Sequence, residues 1–119
     1  MQKGFTVIEL ITIIVVIAIL ATLSTFAYRG WRQDTIKRAI ASDLRAAASS
    51  MEQEKNFSDN PSAPYPDKLP ASFKSNSTNI SVYIQNHGKD FCLEGVSGNP
   101  ALKYHIRNQR DEVTAGGCT

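Results

Sequence analysis

Gly4-Phe5-Thr6-Val7-Ile8-Glu9-Leu10 opens the segment over residues 4–28, GFTVIELITIIVVIAILATLSTFAY, on which the reading of the fold turns. Between residues 5 and 28 Glu9 is the only charged side chain. A centrally placed carboxylate in a membrane helix costs about 2.5 to 3.5 kcal/mol on insertion scales, so something must offset it. A chain cut between Gly4 and Phe5 would carry its new α-amine four residues before Glu9, about one helical turn away and on the same face. Cleavage there would supply the missing cation.

The run over residues 10–28 is close to the ~20 apolar residues that a helix needs to cross a bilayer. Its β-branched residues do not oppose this, because lipid forces backbone hydrogen bonds to close within the segment. Tyr28 and Trp31 fall where aromatic side chains favour the membrane interface. Beyond them, Ile36, Ile40, Leu44, Ala47 or Ala48, and Met51 recur at intervals of three and four, while Arg32, Lys37, Asp43, Arg45 and Glu52 fall mostly elsewhere. The spacing predicts one long helix over residues 5–55, apolar all round over 5–28 and amphipathic over 29–55. The amphipathic stripe lasts only two to three heptads, short for a coiled coil and suited to packing on a sheet. Gly30 is the most permissive position in this helix and the place where any loosening is expected.

Residues 56–79 hold Pro61, Pro64, Pro66 and Pro70 among many Ser, Asn and Asp residues, a composition that blocks helix and central strand alike. This segment is the surface linker, with Tyr65, Leu69 and Phe73 expected to tuck inward. Asn56, Asn76 and Asn79 each open an N-glycosylation acceptor triplet, a pattern that arises often by chance in such loops. Residues 80–119 read as short strands. Ile80, Val82 and Ile84 alternate with Ser81, Tyr83 and Gln85; a turn follows over 86–89; Phe91 and Leu93 alternate with Cys92 and Glu94; a second turn covers 95–100; and Leu102, Tyr104 and Ile106 share one face of a third run. The expected fold class is α+β, with a small antiparallel sheet of about three strands covered by the amphipathic half of the helix.

With 119 residues and the first part committed to a membrane helix, there is room for one small soluble core. A formal charge of +2 and 20% charged residues do not by themselves indicate a nucleic-acid binder. Catalysis finds little support. His87 and His105 are not spaced as metal ligands, and the stretch Gly95-Val96-Ser97-Gly98 lacks the flanking pattern of a nucleophile elbow. The sequence therefore implies neither an enzyme nor a cofactor.

The segment Gly4-Phe5-Thr6-Val7-Ile8-Glu9, followed by about twenty apolar residues, resembles the prepilin processing signal of type IV pilins and the related pseudopilins. The likeness covers residues 1–32, with a weaker architectural similarity beyond. It implies a leader over residues 1–4, cleavage after Gly4 by a membrane prepilin peptidase, N-methylation of Phe5, and an assembly role for Glu9 opposite the N-terminus of a neighbouring subunit. It further implies self-assembly into a helical filament grown from the membrane by a dedicated assembly machinery. Before assembly the prepilin would be a single-pass membrane protein in contact with lipid, its N-terminus cytoplasmic and its C-terminal domain outside. Charge counting opposes that orientation, because Arg29, Arg32, Lys37 and Arg38 outweigh Lys3 and the initiating amine. The chain departs from the pattern of many pilins in having no proline before Pro61 and no glycine between Gly4 and Gly30.

An even cysteine count in an exported domain implies one disulfide between Cys92 and Cys118, as in the loop closed by two C-terminal cysteines in type IV pilins. Lys103, His105 and Arg107 alternate onto the expected solvent face of the third strand. As a basic stripe they would suit DNA phosphates, as in pilins that serve DNA uptake, or they are an ordinary solvated strand face. Three functional readings stay open from the sequence: a pilus subunit for adhesion, motility or DNA uptake; a pseudopilin of a secretion or competence apparatus; and a membrane-anchored binding protein that does not polymerise. A secretory signal peptide is a further reading of the N-terminus, with Ser24-Thr25-Phe26-Ala27 as its cleavage-like site, against which Glu9 within the apolar core argues.

Overall fold

A computed structural model describes residues 3–75, 77–98 and 100–118. Of the expected leader, Met1 and Gln2 lie outside the described residues, as does Asn76 of the second glycosylation triplet. Helix α1 runs Val7–Asn56, two residues later at its start than the sequence predicts. The chain divides into two units, Met1–Asp34 and Thr35–Thr119. In the first, every described residue is exposed, including Phe5, Ile8, Leu23 and Phe26. This half of α1 is long and apolar enough to span a membrane.

The second unit is a helix-on-sheet domain. Strands β1 (Asn79–Gln85), β2 (Asp90–Ser97), β3 (Leu102–Ile106) and β4 (Thr114–Ala115) form one antiparallel sheet in sequential order. The fold class is α+β, with four strands rather than about three. The fourth is a two-residue strand whose Thr114 and Ala115 pair with His105 and Tyr104, too short to leave an alternating pattern in the sequence.

The predicted stripe on α1 is the one that is buried. Ile40, Leu44, Ala47, Ala48 and Met51 meet Phe91, Leu93 and Ile106, with Ile80, Val82, Ile84, Leu102 and Tyr104 around them. Register explains why these residues share a face. Ile84 pairs with Phe91, Val82 with Leu93, and Leu93 with Ile106, so the period-two pattern of three strands falls in phase.

The second turn is shorter than expected, because β2 continues through Gly95 to Ser97. Gly95 pairs with Ile80 on one side and Tyr104 on the other, on the face turned to the helix. A Cβ there would lie 3.1 Å from Leu44 Cδ2, 3.1 Å from Thr78 Cγ2 and 3.2 Å from Ile40 Cγ2. Gly95 is a close-approach glycine rather than a turn residue. The turn proper begins at Gly98, whose φ of +93° suits glycine.

The linker is held down as expected, with Tyr65, Leu69 and Phe73 packed against the core. Its far end is stapled to the helix by one carboxylate. Asp43 Oδ2 accepts from Ser75 Oγ at 2.8 Å and from the buried Thr78 Oγ1 at 2.6 Å, while Ser75 Oγ accepts from Thr78 N–H. Its near end is held by Tyr65, which donates to Glu52 at 2.8 Å and stacks edge-on against Phe91.

Candidate functional site

At the start of α1, Glu9 Oε2 accepts from both the backbone N–H and the Oγ1 hydroxyl of Thr6, each at 2.9 Å. Thr6 Oγ1 in turn accepts from the Glu9 N–H at 3.3 Å. This is a reciprocal capping box, with Thr6 as N-cap and Glu9 three residues on, and it satisfies N–H donors that a helix start leaves without partners. In the sequence Glu9 reads as a charge awaiting a cation; its bonds to Thr6 make it a helix cap as well. The pattern Thr-x-x-Glu ahead of an apolar run is the signal by which the cap was readable.

Because α1 begins at Val7, Phe5 precedes the helix instead of forming its first turn. Phe5 nonetheless lines the same shallow groove as Glu9, about 290 Å³ in volume, together with Ile8, Thr12 and Ile13. Gly4 is exposed and has no neighbour within 4 Å of where a Cβ would sit, so nothing folded covers the Gly4–Phe5 bond.

Farther along, the hydroxyls of the apolar segment bond to their own helix. Thr12 donates to Ile8 O, Thr22 to Ile19 O, Ser24 to Leu20 O and Thr25 to Thr22 O, at 2.7 to 2.8 Å. None of the four presents an unused donor to an apolar surrounding. Tyr28 and Trp31 remain exposed and face each other, with ring centroids 6.2 Å apart.

The expected Cys92–Cys118 disulfide is present, with Cα atoms 6.0 Å apart. It draws the C-terminal tail onto the sheet face opposite the helix. There Gly116 N–H donates to Lys103 O at 2.9 Å, His105 Nδ1 lies 3.1 Å from Gly116 O, and His105 Nε2 lies 3.0 Å from Thr114 Oγ1. Glu94 is the anchor. Its Oε1 is 3.1 Å from Lys103 Nζ, and its Oε2 accepts from Cys118 N–H at 3.1 Å. The Lys103 hydrogen bond holds the Glu94 carboxyl below the usual carboxylate range; burial opposes this, and the Cys118 N–H adds to it. Gly117 lies so close that a Cβ on it would be 2.6 Å from Glu94 Oε2.

These contacts bear on the basic stripe. Lys103 is paired with Glu94, His105 is engaged by the tail, and Arg107 is exposed beyond the end of β3, near Asp111 and Glu112 around one cavity. The structure does not bring the three together as a row of free cations. Among the described residues no group of His, Cys, Asp and Glu is arranged to hold a metal ion. Of the glycosylation triplets, Asn56 ends α1 and Asn79 begins β1, both exposed.

Comparison with protein-family models, with curated proteins and with solved structures finds no match to this chain. The architecture, a long N-terminal helix with its C-terminal half packed on a small antiparallel sheet, is compatible with that of pilins.

Proposed function

We propose that the chain is the structural subunit of a type IV pilus-like filament, cut after Gly4 by a prepilin peptidase and polymerised through its N-terminal helix. The observation that carries this reading is the first unit itself. Over residues 5–28 its apolar surface is bare on every side and Glu9 is the only charged side chain, and a helix apolar all round requires lipid or other helices about it. In the membrane lipid supplies that cover; in a filament the corresponding helices of other subunits do. Transfer from one to the other changes little in apolar burial, because lipid tails are as apolar as leucine. The polar term then gives direction.

Within the subunit, the Thr6 box uses Oε2 of Glu9, and Oε1 has no partner among the described residues. After cleavage the α-amine of Phe5 would be the cation within reach of such a carboxylate, in the subunit or in its neighbour. The exposed Gly4–Phe5 bond supports access for the peptidase, and the self-bonded hydroxyls support an apolar surrounding. The disulfide supports a C-terminal domain folded outside the cytoplasm, where such bonds persist.

The test separates processing from assembly. Glu9→Ala expressed with the assembly machinery should be inserted and cleaved as the parent is, yet yield no filaments by electron microscopy. Normal filaments from that variant would remove Glu9 from assembly.

A further inference from the structure

At the C-terminal end of α1, between the linker prolines and the β1–β2 hairpin, lies a cavity of about 350 Å³ lined by Lys55, Pro61, Ser62, Pro64, His87 and Lys89, among others. Two ammonium groups and an imidazole line it, and no carboxylate does. The acids on the same elements are engaged elsewhere. Glu52 accepts from the Tyr65 hydroxyl, and Asp90 accepts from the Asn86 side-chain amide. Glu54, Asp59 and Asp67 are exposed and do not line the cavity.

Among the described residues neither Lys55 nor Lys89 has an ion pair; the Lys55 ammonium lies 4.2 Å over the Tyr65 ring. The negative end of the helix is capped as well, since Lys55 O accepts from Ser58 N–H and Ser58 Oγ, and Gln53 O accepts from Phe57 N–H. The cavity wall thus carries positive side chains and no acid, while the charges of Glu52 and Asp90 act on the Tyr65 ring beside it.

The walls are built rather than loose. Gly88 O accepts from Tyr65 N–H at 2.9 Å, and Gly88 sits so tightly on Pro64 that a Cβ there would lie 2.3 Å from the proline Cβ. The hairpin places two successive non-glycine residues in the left-handed region, Asn86 at φ 50° and His87 at φ 57°. Asparagine and histidine enter this region more readily than most non-glycine residues, so the turn is a defined one. His87 is exposed, and no packing contact demands an imidazole there. The turn therefore holds the exposed imidazole of His87 at the cavity wall, where no internal contact uses it.

We propose that this cavity binds a small ligand through an oxyanion, a carboxylate or a phosphate. Lys55 and Lys89 supply charge, His87 a ring N–H donor, Ser62 a hydroxyl, and the proline rings an apolar wall for the ligand body. The site is independent of polymerisation and stands or falls apart from it.

Isotope-labelled full chain in neutral detergent micelles, titrated with glucuronate, glucose 6-phosphate and glucose, tests the proposal by amide NMR. Either acidic probe should shift the Ser62, Gly88 and Lys89 amides saturably in the millimolar range, while glucose should not. The tighter of the two tells carboxylate from phosphate. Lys89→Gln and His87→Gly should each weaken binding about fivefold or more with core methyl signals unchanged, and Lys74→Gln on the exposed linker should not. Silence from both acids, equal shifts with glucose, unaltered binding by Lys89→Gln and His87→Gly, or equal weakening by Lys74→Gln would each overturn it.

Discussion

Glu9 caps α1, and substitution can separate that task from the assembly role proposed for it. Its capping box with Thr6 is local, and loss of an N-cap side chain typically costs about 1 kcal/mol. Thr6→Ala should therefore raise hydrogen exchange at the amides of the first turn of α1 while filaments still form. Glu9→Ala should do both, fraying the turn and stopping filament growth; fraying alone would make Glu9 a cap and nothing more. Gly95 is the residue on which the core is most sharply dependent. With Leu44, Thr78 and Ile40 within 3.1 to 3.2 Å of its missing Cβ, Gly95→Ala should destabilise the sheet domain by about 1 to 3 kcal/mol through overpacking, read as a lower thermal midpoint with no change at the N-terminus. That glycine was legible as a residue and misread as a turn, because glycine in a strand and glycine in a turn differ only in what stands opposite. Two of the opposing residues, Ile40 and Leu44, lie on α1, some fifty positions away in the chain.

At the scale of elements, the tail and β2 act as one lock. The disulfide spans a sequence separation of 26 and stabilises by about 3 to 4 kcal/mol in the chain-entropy model. Reduction, or Cys118→Ser, should lower the unfolding midpoint and release β4, seen as loss of amide protection at Gly116 and Cys118. Acid should loosen the same lock. Glu94 is held below the usual carboxylate range in the fold, so its contribution is fully present above the unfolded carboxylate value and is lost as pH falls through the lower folded one. Glu94→Gln should flatten the acid limb of the stability curve. Tyr65 acts at the other end of the scale. Burial first, then its hydrogen bond to Glu52 and the charges of Glu52 and Asp90, push its phenol up to about 12, so its contribution is whole below the unfolded value and fades as pH rises toward 12. Tyr65→Phe should remove that alkaline loss.

The helix, the first three strands and the disulfide partners were readable because each rests on a period or a count: 3.6 on the α1 stripe, two in the strands, and a single pair of cysteines. The tail's path was not. A two-residue strand has no period, and its place on Glu94, Lys103 and His105 depends on a positive φ at Gly116 and a close approach at Gly117 for which the sequence carries no periodic signal. For the same reason the stripe of Lys103, His105 and Arg107 looked like free charge when it was read alone.

At the scale of the whole molecule, the two units divide the chemistry between them: one holds a helix surface apolar over residues 5–28 but for Glu9, the other a disulfide-closed domain with a satisfied core. Among the described residues, no buried side-chain nitrogen or oxygen lacks a hydrogen-bond partner. The domain buries a core of its own, whereas the described residues of the first unit are all exposed. In the proposed filament the drive for assembly lies in the apolar helix over residues 5–28, and those helices hold the polymer. Mass spectrometry of the N-terminal peptide from native filaments tests this most directly. A chain that begins at Phe5 with a methylated α-amine is the expected result; native protein that retains Gly4 and the residues before it, and stays a single anchored molecule, would contradict the proposed function.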